Sequence, residues 1–354
     1  MRIFAFLTTH EKYMHRCLQL ARLGAGHTAP NPMVGAVLVH NERVIGEGYH
    51  QQYGQAHAEV NCINSVSEAD SSLIAQSTLY VSLEPCAHYG KTPPCADLII
   101  KNNIPEVVIG CRDSYTEVDG KGIQKLQHAG IQVTVGVLEK EAQELNKRFF
   151  TFHQKHRPWI ILKWAQTADG KIAGSDDKRL LISNEFTNLL VHQWRSEEAA
   201  IMIGTNTALK DDPSLTTRLH PGNDPLRIVI DMELKLPQHL HVFDRTVQTI
   251  VFNSIKQEEG AGLSFYKIDN TTSILPAILS VLQQQKILSV IVEGGATLLQ
   301  SFIKEGLWDE ARVITNTELE AGAGIDAPVL DHHQLLTAEN MVNDTIHYFI
   351  NNQQ

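Results

Sequence analysis

The sequence predicts two α/β domains in tandem, the first over residues 1–153 and the second over residues 154–354. The length, 354 residues, suffices for roughly two domains of ordinary size. Helical and strand patterns alternate in both halves, as layered α/β architecture requires. A second run of strands begins after Arg148–Pro158, a stretch that reads as a linker. The halves share no internal repeat, and neither holds a low-complexity tract.

The elements follow in order. Thr8-x-x-Glu11 is a capping box, opening a helix through about Gly24 with Tyr13, Met14, Cys17, Leu18 and Ala21 at helical spacing. Val34–Val39 and Val44–Gly48 read as strands joined by a turn at His40-Asn41-Glu42. A helix from His57 to about Ser65 places His57 and Glu59 in its first turn. Thr78–Leu83 is a strand, Cys95 opens a helix to about Asn102, and Val107–Gly110 and Val133–Val135 are further strands. In the second half Trp159–Lys163, Ala200–Ile203, Arg227–Asp231, Thr249–Phe252 and Val290–Glu293 read as strands, with helices at Asn184–Glu197 and Thr271–Gln284.

Composition excludes several classes. The chain is 43% hydrophobic and 20% charged, as in ordinary globular proteins. No apolar run approaches the roughly 20 residues of a membrane span. The apolar start Met1–Leu7 is too short for a signal h-region and reads as an N-terminal extension. All five cysteines lie in the first third, which argues against a disulfide framework and for a reducing cytoplasm. Net charge is −10. Neither half has the basic excess of a nucleic-acid binder, so a small-molecule substrate is expected and neither nucleic acid nor membrane.

One constellation carries chemistry. His57-Ala58-Glu59 is followed by Pro85-Cys86 and Pro94-Cys95. One imidazole and two thiolates hold a zinc ion on three sides and leave the fourth to water. A nearby glutamate then moves protons, the arrangement of zinc-dependent deaminases with H-x-E before P-C-x-x-C. Here eight residues separate the cysteines instead of two. His57, Cys86 and Cys95 are the candidate ligands and Glu59 the proton shuttle. Cys62 is a rival ligand or a core cysteine. His88 contacts substrate or caps the cysteine loop. Asn31, in the rigid Pro30-Asn31-Pro32 turn, offers a donor and an acceptor to a heterocycle.

The second half has a phosphate-binding pattern. Val290–Glu293 runs through Gly294-Gly295 into a helix, a turn that presents backbone N–H groups to an anion or is simply tight. It is not G-x-G-x-x-G, so a Rossmann domain is not supported. Ala200–Gly204 leads to a second strand-glycine-helix passage, flanked by Arg195 and Arg218. Those arginines hold a phosphate or lie on a solvated face.

Pro30-Asn-Pro-x-Val-Gly35, His57-Ala-Glu59 and Glu84-Pro-Cys-x-His-x-Gly-x-Thr-Pro-Pro-Cys95 resemble the bifunctional deaminase/reductase family of riboflavin biosynthesis, whose own form includes the long cysteine loop. Lys163-x-Ala-x-Thr-x-Asp-Gly170, Gly204-x-x-Thr207-x-x-x-Asp-Asp-Pro213 and Glu293-Gly-Gly-Ala resemble its reductase half. The resemblance implies a cytidine-deaminase-like three-layer domain followed by a dihydrofolate-reductase-like α/β domain. It implies zinc at His57, Cys86 and Cys95, with Glu59 as proton donor. NADPH would touch Ala165, Leu181, Thr207, Asp211, Gly295, Ala296, Thr297, Leu298, Leu299, Gln300 and Ser301. A pyrimidine ribosyl phosphate would meet Arg179, Ser183, Arg195, Leu215, Arg218 and Glu293. Lys163 and Asp211 are the candidates nearest hydride transfer. Leu181 stands where tryptophan is often found, and Met232 where serine is common. A homo-oligomer, dimer or tetramer, is expected.

Two other readings compete. A nucleic-acid or nucleoside zinc deaminase with an accessory domain shares the metal motif but wants a basic channel. A zinc-stabilised binding module wants a fourth protein ligand.

Overall fold

The computed structural model describes residues 8–89, 93–113, 119–175, 180–269 and 273–353. The apolar start Met1–Leu7 lies outside them. The chain forms two compact units, Met1–His156 and Arg157–Gln354.

The first unit is built on five strands: β1 (Gly35–His40), β2 (Arg43–Tyr49), β3 (Thr78–Leu83), β4 (Glu106–Cys111) and β5 (Gln132–Val135). Their order is β2-β1-β3-β4-β5. β1 is antiparallel to β2 and β3; β3, β4 and β5 are parallel. The helices are α1 (Thr9–Arg22), α2 (Ala58–Asn64), α3 (Cys95–Lys101), α4 (Lys121–His128), α5 (Glu139–Leu145) and α6 (Lys147–Lys155), with a 3₁₀ turn at Glu68–Gln76.

Alternation along the strands makes three layers, because successive side chains point to opposite faces. Ala36, Leu38, Leu79, Val81, Val107 and Ile109 pack with Ala58 and Cys62 of α2, Ala96 and Ile99 of α3 and Leu126 of α4. Val37, Val39, Tyr80 and Val108 face Tyr13, Met14, Cys17 and Leu20 of α1. The Thr8–Glu11 capping box starts α1: Glu11 N–H donates to Thr8 Oγ1 at 3.3 Å, and Thr8 N–H to Glu11 Oε2 at 2.7 Å. Gly35 lets α1 lie against β1, since a Cβ there would sit 2.0 Å from the Cys17 carbonyl oxygen.

The second unit holds β6 (Trp159–Gln166), β7 (Lys171–Gly174), α7 (Glu185–Glu197), β8 (Ala200–Gly204), α8 (Thr205–Asp211), β9 (Leu226–Ile230), β10 (Thr249–Asn253), β11 (Leu263–Lys267), α9 (Ile274–Gln284), β12 (Ser289–Glu293), α10 (Ala296–Lys304), β13 (Glu310–Asn316), β14 (Gly324–Asp326), β15 (His333–Met341) and β16 (Asp344–Asn351). Nine strands run in the order β11-β10-β9-β8-β12-β6-β13-β16-β15, and β14 pairs with β7 apart from them. All neighbours from β11 to β13 are parallel, and β16 and β15 close the edge antiparallel. α9 and α10 cover one face through Leu275, Ile278, Leu282, Leu299 and Phe302. Val191 and Trp194 of α7 and Ala208 of α8 cover the other.

The stretch expected to be a linker is largely α6. Phe149, Phe150, Thr151 and Phe152 are buried there, and His156 ends the helix at φ 53°. Apolar contact, which the flanking basic residues obscured, makes this segment part of the first unit. Of the helix expected over Thr271–Gln284, Ile274–Gln284 is α9, and Thr271 lies outside the described residues.

Candidate functional site

In the first unit the ends of three elements meet. His57 is the N-cap of α2, in extended conformation with its side chain free of the capping role. Cys86 follows β3, and Cys95 is the first residue of α3. His57 Nδ1 lies 3.6 Å from Cys86 Sγ and 3.4 Å from Cys95 Sγ. The three donor atoms lie within 4.8 Å of one another. A tetrahedral zinc with Zn–S of about 2.3 Å and Zn–N of about 2.0–2.1 Å sets an S···N edge of about 3.5 Å. The group therefore fits zinc with no rearrangement of those two edges. Cys95 N–H donates to Cys86 Sγ at 3.3 Å, and Ala96 N–H to the Cys86 carbonyl at 3.1 Å, tying the two cysteines together.

The hydrogen bond from Cys95 holds Cys86 down at about 4, and the same bond, with burial, pushes Cys95 up. Its hydrogen bond with Cys86 raises His57. Glu59, only 3% exposed, is raised by burial and then by the charge of Cys86. A raised carboxyl exchanges protons closer to neutral pH, as a general acid–base must.

Beside this group lies a residue the sequence did not mark. His50 is 2% exposed, with its ring centroid 5.3 Å from that of His57. Its Nδ1 meets the Ala56 carbonyl at 3.0 Å, and its Nε2 meets Asn31 Nδ2 at 3.1 Å. Since Nδ1 must donate to a carbonyl, Nε2 accepts, and the Asn31 amide oxygen is left to a ligand. A lone histidine at the end of a strand gave no signal for this. Cys62 is fully buried in the core and its thiol is raised by burial. It is absent from the metal-ligating group.

In the second unit Lys163, Arg195 and Glu293 come together. Glu293 ends β12 and pairs with Lys163 of β6 in register. Arg195 on α7 donates to both Glu293 oxygens, from Nε at 2.8 Å and Nη2 at 2.7 Å, and from Nη1 to the Thr216 carbonyl at 3.2 Å. Lys163 Nζ reaches Glu293 Oε2 at 3.5 Å. Burial alone would raise Glu293, but Arg195 and then Lys163 hold it at about 2. His192, one helical turn before Arg195, is 4% exposed and lowered to about 4 by burial and then by Arg195 and Arg218. Arg218 itself is exposed.

The segment expected to bind NADPH is at the C-terminal edge of the parallel strands, where α/β sheets place ligands. A Cβ on Gly294, whose φ is +94°, would lie 2.9 Å from Thr207 Cγ2, so the turn after β12 and the start of α8 are closely apposed. Ala296 and Thr297 form the first turn of α10. Several side chains in the segment are engaged elsewhere. Leu299 is in the core, Ser301 bonds back to the Thr297 carbonyl, and Gln300 exchanges two hydrogen bonds with the Val329 backbone. Leu298 packs near Gly204. Leu215 is buried in the core at φ 54°, leaving its backbone to meet a ligand. Ala165 is the penultimate residue of β6, Asp211 ends α8, Ser183 is half-buried and Leu181 is 75% exposed. Arg179 lies outside the described residues.

Comparison with known proteins gives both units a class. Residues 7–111 match the cytidine and deoxycytidylate deaminase zinc-binding region. Residues 158–318 match the RibD C-terminal domain. The molecule is a deaminase fused to a reductase. Riboflavin biosynthesis protein RibD of Aquifex aeolicus is 41% identical over 84% of this chain and 84% of its own length. That of Bacillus amyloliquefaciens is 40% identical over 85% and 82%. A diaminohydroxyphosphoribosylaminopyrimidine deaminase/5-amino-6-(5-phosphoribosylamino)uracil reductase structure from Thermotoga maritima superposes with TM-score 0.89 at 35% identity, over 97% of this chain and 99% of that one. The chain belongs to the RibD family of riboflavin biosynthesis. It is bifunctional, with zinc serving its deaminase and NADPH its reductase. Among the described residues no helix is long and apolar enough to cross a membrane.

Proposed function

We propose that the first unit hydrolyses the amino group of 2,5-diamino-6-(5-phosphoribosylamino)pyrimidin-4(3H)-one, and that the second reduces the ribosyl chain of the product to ribityl. The single observation that best supports this is the His57–Cys86–Cys95 triangle beside buried Glu59. Zinc held there supplies Lewis-acid activation of water near neutral pH. Glu59 takes a proton from the attacking water and delivers it to the departing nitrogen, so ammonia leaves and the ring carbon keeps the water oxygen. The Asn31 amide oxygen, oriented by His50, accepts a hydrogen bond from a ring N–H or amino group of the substrate.

In the second unit NADPH supplies the hydride, which goes to the anomeric carbon of the ring-opened imine. Thr207, Asp211, Ala165, Leu181 and the segment from Gly295 to Ser301 line the cofactor site in this reading, the segment acting mainly through the backbone N–H groups at the start of α10. Arg195 has committed donors to Glu293 and Thr216. In this reading exposed Arg218 is therefore the cation for the 5′-phosphate, and Ser183, the Leu215 backbone and Arg179 complete the substrate site. Glu293, fixed by Arg195 and Lys163, receives the ribose hydroxyls, and Lys163 with Asp211 stands near the reacting carbon.

A cytoplasmic location and a homo-oligomer, dimer or tetramer, complete the proposal. The edge strand β15 supports assembly: its residues are nearly all exposed, and an unpaired edge is a template for another chain. Glu59→Gln tests the deaminase assignment. Ammonia release should fall about 10²–10⁴-fold, while NADPH oxidation with the deaminated substrate stays unchanged. Equal loss of both activities would contradict two separate sites.

A further inference from the structure

Among the described residues, the hydrogen bonds to the buried acid Glu84 come from backbone N–H groups and not from a cation. Glu84 is 4% exposed and lies between β3 and Pro85-Cys86. Four backbone N–H groups converge on it. Oε1 accepts from Gly122 at 3.0 Å and Ile123 at 3.2 Å, and Oε2 from Gly120 at 3.0 Å and Asp113 at 3.3 Å. Three of these donors belong to the start of α4, whose N-terminal N–H groups lack partners within the helix. Its own N–H donates to the Cys111 carbonyl at 3.0 Å. α4 also lies against the next residue, for a Cβ on Gly122 would sit 2.0 Å from the Pro85 carbonyl oxygen.

We propose that Glu84 is a positioning residue of the metal site, clamping α4 to the end of β3 so that Cys86 stands where it completes the triangle with His57 and Cys95. A buried carboxylate is tolerated when hydrogen-bond donors satisfy it, and bonds to an ionised acceptor are about twice as strong as neutral ones. Pro85 fixes φ between the clamp and the ligand, leaving little slack to pass on. A glutamine in place of Glu84 would aim an NH₂ group at two of the four N–H donors. That conflict would be relieved by moving α4 or the chain at Pro85, and either movement displaces Cys86. The inference rests on the reading of Cys86 as a zinc ligand.

The test measures zinc release to a chelator and the gain in Tm on zinc binding, in full-length protein, for wild type, Glu84→Gln, Glu84→Asp and Cys86→Ser. Outer residues that orient metal ligands typically alter affinity about 10–100-fold. Glu84→Gln should therefore weaken zinc retention by that factor and shrink the zinc-dependent gain in Tm, while NADPH oxidation with the deaminated substrate is unchanged. Glu84→Asp, which keeps the charge, should recover part of the retention. A purely structural Glu84 would instead lower Tm equally with and without zinc and leave retention alone, which overturns the proposal. If Glu84→Gln does not fold, Glu84→Asp decides: wild-type retention in it overturns the proposal, and weakened retention supports it. Zinc retained by Cys86→Ser would overturn the ligand assignment, and with it the role given to Glu84. Zinc lost by Cys86→Ser but held normally by Glu84→Gln overturns the clamp alone.

Discussion

At the scale of single residues, two buried carboxylates show how environment divides chemical labour. Burial and then the charge of Cys86 raise the Glu59 carboxyl, outweighing the opposing pull of His57. Glu293 is equally buried but faces Arg195 and Lys163, which hold it at about 2. The first is suited to proton exchange and the second to remaining an anion. The depressed value has a consequence for stability. Glu293 contributes above its ordinary value of 4.5, and the contribution fades as pH falls toward about 2. The linkage is on the order of 3 kcal/mol. Urea unfolding of the second-unit transition should show stability declining from pH 5 to pH 3. Glu293→Gln should lower stability at pH 7, because it leaves Arg195 buried without its partner, and should flatten that decline. An undiminished slope in the variant would assign the decline to other groups.

At the scale of elements, the strands buried on both faces were the most legible. β3, β8, β10 and β12 are apolar and bounded by polar or turn residues, so their pattern announced them. The His57–Glu59 pair and both cysteines were legible because zinc limits the side chains that can serve. The C-terminal hairpin of β15 and β16 was not, since β15 is almost wholly exposed and carries no buried stripe. β13 was missed for the opposite reason: Glu310, Arg312 and Asn316 are buried, and Arg312 Nε donates to Glu310 Oε1 at 2.7 Å, so polar residues occupy core positions. The placements of His50 and Glu84 were not legible because they depend on partners distant in sequence, Asn31 for the first and the start of α4 for the second. The turn after β12 offers a sharp test. Gly294→Ala adds a Cβ at positive φ against Thr207, so it should cost about 1–2 kcal/mol in backbone strain alone. It should also raise the KM for NADPH more than the KM for the pyrimidine. Unchanged NADPH binding would remove this turn from the cofactor site. In the first unit Ile99 is fully buried between α3 and the sheet, and Ile99→Ala should cost about 2–5 kcal/mol by chemical denaturation.

At the scale of the whole molecule, the two units carry separate cores and separate constellations within one chain. Chelation of zinc should therefore stop ammonia release and leave reduction of the deaminated substrate intact. Light scattering should report a dimer or tetramer, and Leu335→Lys on the exposed β15 edge should shift it toward monomer; a wild-type monomer would remove β15 from any role in assembly. The central claim is that one chain performs both reactions in sequence. Its most direct measurement is the ratio of ammonia released to NADPH oxidised when the zinc-loaded protein is given only the diaminopyrimidinone ribosyl phosphate. The expected result is one ammonia per NADPH at completion, with ammonia appearing first. NADPH oxidation without ammonia, or ammonia with no NADPH consumed, would contradict it.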